Sequence, residues 1–286
     1  MDGAAALEHV AAPVGRPRVA AVDGIVALAL GLALALGACQ SAPPPATLTD
    51  PKEILGAAVS TTLAAKSVRI DGSADGTVRL PGVGFELPAA IELTGTTFSM
   101  DLDLAAGDGR VTFSAPGLLG LTGEVIVLDG TAYVKTTLTG ALYHAQPIGP
   151  DAPAPSGGSQ AAFLEGVTEL LANPALEPVK ADDVECGGTT CYRVEMTLSE
   201  ADLAALGVDR LEAPAGLPIP FPLAAEIPTP LELTVLVAKD TTRLAGLIAS
   251  MDPGAGGAAT IDLTFSKWDE PVSISAPPPD QVSPGG

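Results

Sequence analysis

Residues 97–104, Thr97-Phe98-Ser99-Met100-Asp101-Leu102-Asp103-Leu104, put an apolar side chain at every second position. Successive side chains of a strand point to opposite faces, so this stretch predicts a β-strand with one wet and one dry face. The same period of two recurs along the chain. Gly107-Asp108-Gly109 turns into Val111 and Phe113, and Asp129-Gly130 joins Glu124–Leu128 to Thr131–Thr136 as a hairpin. Tyr192, Val194, Met196 and Leu198 alternate with Arg193, Glu195 and Thr197. Leu231, Leu233, Val235 and Val237 form another such run, as do Ile261, Leu263 and Phe265 against Thr260, Asp262 and Thr264. One-sided alternation repeated this often predicts an antiparallel sheet with a single apolar face.

That face needs cover, and only a few helices are in prospect. Asp50-Pro51-Lys52-Glu53 reads as a helix start, with Asp50 as N-cap, Pro51 in the first turn and Glu53 completing a capping box. Ile54, Leu55, Ala58, Val59, Thr62 and Leu63 follow at helical spacing, and the helix is expected to end near Lys66, before Ser67-Val68-Arg69-Ile70. Residues 159–171 are amphipathic, and Ser199-Glu200-Ala201-Asp202 opens a short helix ending near Gly207. Residues 211–230 are apolar and rich in proline, which keeps them out of a central strand. The fold class is therefore α+β. A strongly curved sheet would leave room between its concave face and so few helices. From the residues alone, an apolar cavity and a solidly packed aliphatic core stand level.

The N-terminal region decides the compartment. Arg16 and Arg18 precede an uncharged run from Gly24 to Leu36, which is too short to span a bilayer but suits the core of an export signal. Leu36-Gly37-Ala38-Cys39 follows and resembles a bacterial lipobox, in which the cysteine thiol takes a diacylglyceryl group. The expected organisation is a lipoprotein signal peptide at 1–38, the lipidated Cys39 with a flexible tether to 48, one domain over 49–278, and a disordered tail at 279–286. The expected location is the cell membrane, lipid-anchored on its extracytoplasmic face, with the acyl chains providing the hold.

Net charge is −20, and residues 1–38 hold three acids and two bases, so the remainder keeps −19. A surface that acidic repels phosphate backbones and excludes nucleic acid as a partner. Aromatics are 3% of the chain, so the core is aliphatic. Cys186 and Cys191 bracket Gly187-Gly188, whose freedom at positive φ allows a tight hairpin with the two sulfurs at its root. An oxidising compartment would close them as a disulfide. A redox-active pair and a metal site are the rivals, and tetrahedral zinc would need ligands that are not near. His144 is the sole histidine after the signal segment, and no G-x-S-x-G, phosphate loop or His-x-x-x-His pair occurs. Asp182, Asp183 and Glu185 read as solvated turn acids, as do Asp269, Glu270 and Asp280 near the end. Neither an enzyme nor a resident metal or cofactor is expected.

Several motifs in order resemble the LppX/LprA/LprF/LprG family of mycobacterial and related lipoproteins. The lipobox is followed by Ala65-Lys66-Ser67-Val68-Arg69-Ile70-Asp71-Gly72, by Val127-Leu128-Asp129-Gly130-Thr131-Ala132-Tyr133-Val134-Lys135, and by Cys191-Tyr192-Arg193-Val194. Residues 263–278, LTFSKWDEPVSISAPP, close the series and are its most specific part. The resemblance covers most of residues 50–281, while segment 211–230 and the C-x4-C pair lie outside it. It implies an antiparallel half-barrel curled around helices with a hydrophobic cavity. It also implies binding and carriage of lipids or glycolipids, and an envelope transporter as a possible partner. The lining residues inferred from inward-facing strand positions are Phe98, Met100, Leu102, Val111, Phe113, Val194, Met196, Leu233, Val235 and Leu263. The competing reading is a non-enzymatic envelope scaffold or adaptor with a solid core.

Overall fold

The computed structural model describes residues 47–78, 91–148, 168, 170–206, 210–212, 224–226, 229–251 and 257–283. Helix α1 (Pro51–Leu63) starts at the expected N-cap, with the backbone N–H groups of Lys52 and Glu53 donating to the Asp50 carboxylate, but without the return bond to Glu53 that a capping box would add. It closes at Ala64, three residues after Thr61 spends its hydroxyl on the Thr242 carbonyl. Helix α2 (Glu200–Ala205) carries a full capping box between Ser199 and Asp202. Of the expected helix at 159–171, residues 168 and 170–171 are helical, as is Ala172. The rest of that stretch lies outside the described residues.

The strands run in chain order: β1 (Ser67–Val78), β2 (Ile91–Glu92), β3 (Thr96–Asp103), β4 (Asp108–Ala115) and β5 (Leu121–Leu128). After them come β6 (Thr131–Thr136), β7 (His144–Pro147), β8 (Val179–Lys180), β9 (Val184–Cys186) and β10 (Thr189–Leu198). Then follow β11 (Arg210–Glu212), β12 (Ala224–Glu226), β13 (Leu231–Ala238), β14 (Leu244–Met251) and β15 (Ala259–Ser266). Among the described residues thirteen strands make one sheet, ordered β7-β6-β5-β4-β3-β1-β15-β14-β13-β10-β8, with β2 beside β1 and β9 beside β10. Every pairing in it is antiparallel.

The sheet is open, with β7 and β8 at its ends. Twist accumulates from strand to strand, so a sheet of this width curls. This is the curved antiparallel architecture with few helices that the alternation predicts. Segment 211–230 differs from the expected unbroken loop. Its two ends, β11 and β12, pair with each other as a separate ribbon. The prolines between them lie outside the described residues.

Two other expectations are corrected. The tether was expected to stay free through residue 48, but the Leu48 N–H donates to the Tyr192 hydroxyl at 2.9 Å and its side chain packs on the core. The tail expected from residue 279 is ordered as far as residue 283. Pro279–Gln281 forms a 3-10 turn, the Tyr143 N–H donates to the Gln281 carbonyl, and the Ser283 N–H donates to the Tyr143 carbonyl. Backbone partners at a sheet edge hold this segment, although its composition reads as a linker.

Candidate functional site

Register places the predicted lining residues on one face. A single line of directly opposed residues runs Val194, Val235, Leu247, Leu263, Gly72, Phe98, Phe113, Gly123, Thr136. Cross-strand partners project to the same side, so eight successive positions across the sheet are apolar or glycine. The next line holds Phe265, Ile70, Met100, Val111, Val125, Val134 and His144. Met196 and Leu233 oppose each other, and Leu102 opposes Val68. All ten predicted positions thus share a side. On the other side the line reads Glu195, Thr234, Ile248, Asp262, Ser73, Thr97, Ser114, Thr122.

The apolar face is covered unevenly. Ile54, Leu55 and Ala58 of α1 pack against Tyr192, Val194, Val235 and Val237. Leu203 and Leu206 join Leu170, Leu176, Leu198, Leu231 and Ala249 in a second cluster. Both clusters sit over β10, β13 and β14. Val194 and Val235 are therefore core residues, buried at 0% and 6% exposure. Met196 and Leu233 are half-buried at the cluster margins. Phe98, Met100, Leu102, Val111, Phe113 and Leu263, on β3, β4 and β15, are half-buried as well. Ile70, Val125, Val127 and Phe265 extend that half-buried area, although none was singled out as lining. Ile70 and Phe265 were legible as strand residues. Val125 and Val127 were hidden because β5 reads Glu124-Val-Ile-Val-Leu128, with Ile126 buried on the opposite side.

Two hollows are bounded by described residues. One, of about 540 Å³, is open and is bordered by Asp71, Thr97, Ser99, Thr112, Ser114 and Thr122 of the polar side together with Gly72, Phe98 and Phe113. The other, of about 200 Å³, lies between Arg69, Asp101 and the chain from Lys267 to Ser273. Both are bordered mostly by residues of the polar side.

Several charges on the polar side are paired. Arg69 donates to Asp71 and to both oxygens of Asp101, and the Ser99 hydroxyl donates to Asp71 at 2.6 Å. The Ser99 hydrogen bond, aided by Arg69, holds the Asp71 carboxyl below its usual range. Glu124 accepts from Arg110 and from the Tyr143 hydroxyl at 2.7 Å. Burial, then the Glu124 carboxylate, pushes the Tyr143 phenol up. Asp183 is bridged by Lys239 and Lys180, which hold its carboxyl down. Of the turn acids, Asp183 thus pairs with two lysines, Glu185 accepts from the Thr190 hydroxyl and Asp269 pairs with Arg243. No group of three or more His, Cys, Asp or Glu that could hold a metal ion is found among the described residues. His144 is half-buried with Nε2 3.4 Å from the Thr139 carbonyl. Cys186 and Cys191 are bonded across the β9–β10 hairpin, with Gly187 and Gly188 at φ 57° and 87°. Cys39 lies outside the described residues, and no described helix is long and apolar enough to cross a membrane.

No family model and no curated protein matches this chain. Among solved structures it is similar to lipoprotein LppX of Mycobacterium tuberculosis, with 17% identity, 79% of this chain and 98% of that one covered, and a TM-score of 0.47. LprF of Mycobacterium bovis gives 17%, 82%, 99% and 0.49 in the same order. A LolA superfamily protein of Nitrosomonas europaea gives 9%, 83%, 99% and 0.25. At such identities the likeness is one of fold alone.

Proposed function

We propose that this chain is an envelope lipoprotein, acylated at Cys39 and held on the extracytoplasmic face of the cell membrane, that binds and carries lipid or glycolipid on the apolar face of its sheet. The observation that supports this most directly is the uneven cover of that face. Over β15, β1, β3, β4 and β5 its larger side chains, Leu263, Phe265, Ile70, Phe98, Met100, Phe113 and Val125 among them, stay half-buried, although Val68, Ala74, Ala115 and Ala259 are buried, while the helices pack over β10, β13 and β14. Acyl chains fit such a surface, since each methylene leaving water contributes about 0.8 kcal/mol. The family motifs quoted above carry the same implication. Binding and transfer need no catalytic group, and several charges of the polar side are paired with neighbours, Asp71 and Asp101 with Arg69 and Glu124 with Arg110. An envelope transporter that loads or unloads the lipid is part of the reading.

The test is native mass spectrometry of the chain carrying Cys39→Ser, so that its own acyl groups are removed from the measurement. Lipid that co-purifies and is released on activation supports carriage. A ligand-free protein that also fails to take up added phospholipid favours the scaffold instead.

A further inference from the structure

Two neighbouring turns at one end of the sheet carry leucines that the fold does not bury. Between β4 and β5, Leu119 is 89% exposed and sits at a φ of 55°. That left-handed conformation costs a leucine energy that glycine would not incur. Between β6 and β7, Leu138 is 52% and Leu142 39% exposed. The turns adjoin, because the Thr137 N–H donates to the Thr122 carbonyl at 2.9 Å and the Thr122 N–H to the Thr137 hydroxyl at 3.2 Å. Residues 115–123 and 136–142 contain no charged side chain, in a chain whose net charge is −20.

We propose that these turns form a membrane-touching rim, with Leu119, Leu138 and Leu142 entering the interfacial layer of a bilayer. The occupant follows from three features. The side chains project outward, so a protein partner would need a matching socket for each, whereas a fluid interface yields to any of them. The acids elsewhere on the surface are repelled by anionic headgroups, and this uncharged patch is where approach meets least repulsion. Leucine is also a residue that interfacial segments bury at the headgroup–acyl boundary. The rim goes beyond lipid binding on the sheet and stands or falls separately from it.

The test uses the full chain with Cys39→Ser and Leu119→Cys, labelled at residue 119 with an environment-sensitive fluorophore and mixed with phosphatidylcholine–phosphatidylglycerol vesicles. A second chain carries the label through Leu104→Cys, in the β3–β4 turn at the other end of the strands. Both are checked for unchanged circular dichroism. The expected result is a blue shift and quenching by a lipid-borne quencher at 119 and not at 104, with the shift lost when Leu138→Asp and Leu142→Asp are added. A label at 119 that stays in water on vesicle-bound protein overturns the proposal. So do equal shifts at both positions, which would mean that residues 1–38 draw the chain down without regard to orientation.

Discussion

Phe98 lies across the backbone of Gly72 on the adjacent strand, so close that a Cβ added at Gly72 would stand 2.2 Å from the ring's Cζ. Phe113 does the same over Gly123, at 2.5 Å. The two phenylalanines oppose each other, yet each leans toward the glycine on its far side. Gly72→Ala would have to displace the ring of Phe98. The displacement should cost about 1–3 kcal/mol, as overpacking commonly does. In a Phe98→Ala background the same change should cost little, since the obstacle is gone. Urea titration of the four proteins measures the coupling. Equal costs in both backgrounds would mean that the ring is not what excludes a side chain at 72.

Stability and ligand capture should separate along the sheet. Ile54 is fully buried against β10 and β13, so Ile54→Ala should cost about 2–5 kcal/mol. Met100 and Leu263 are half-buried, and Met100→Gln with Leu263→Gln should lower Tm less than Ile54→Ala does. The pair should nevertheless lose most of the co-purifying lipid. If the Gln pair unfolds the protein while retaining lipid, the half-buried face is core and the ligand lies elsewhere.

Acid should weaken the fold through three carboxylates. Asp71, Asp183 and Asp269 are all held below their usual range, by Ser99, by Lys239, and by the Lys66 backbone N–H with Arg243 respectively. A carboxyl with a depressed folded pKa contributes stability above its unfolded pKa of about 4 and loses it as pH falls toward the folded value. Tm should therefore be flat from neutrality to about pH 5 and fall below about pH 4. Asp183→Asn, which removes the acceptor for two lysines, should flatten that fall while costing about 1 kcal/mol or less at pH 7, because all three groups are partly exposed. An acid limb unchanged by Asp183→Asn would remove the Lys180–Asp183–Lys239 bridge from the account.

The Cys186–Cys191 bond closes a short hairpin loop, and such closures contribute about 2 kcal/mol. Cys191 is fully buried, whereas Cys186 is half-buried. Cys191→Ser should therefore lower Tm more than Cys186→Ser, because it also places a hydroxyl in a fully buried site. Identical losses would confine the effect to the cross-link.

How far the sequence revealed this fold depended on chemistry at particular positions. Phe98, Met100 and Leu102 were legible as one face because Thr97, Ser99 and Asp101 between them are polar. Strand β1 was legible only as far as Ile70. Its continuation uses Gly72, Ala74 and Gly76 on the apolar side, and these residues carry no hydrophobic signal. The meeting of β1 with β15, nearly two hundred residues away in sequence, follows from no local pattern. Nor could alternation tell covered from uncovered parts of the face. Val194 and Phe98 look alike in sequence, and only the seating of α1 on β10 and β13 distinguishes them.

The C-terminal segment, which composition marks as a loose tail, is predicted to restrain the β7 edge. The chain leaves β15, and the Asp269 N–H donates to the Ser67 carbonyl at the start of β1. It then borders Arg69 and Asp101 on the polar side and reaches Tyr143, which exchanges backbone hydrogen bonds with Gln281 and Ser283. It thus passes from the middle of the sheet to the edge strand β7. Tyr143 is buried, with its hydroxyl on Glu124 and Lys135 4.3 Å from its ring centre. Deleting residues 279–286 removes both backbone bonds at Tyr143, each contributing about 0.5–1.5 kcal/mol. Amide hydrogen exchange should accelerate in β6 and β7 and stay unchanged in β10 and β13, whose partners are untouched. Exchange that is unaltered at residues 143–146 would show that β6 alone holds the edge and that the strap is a passenger.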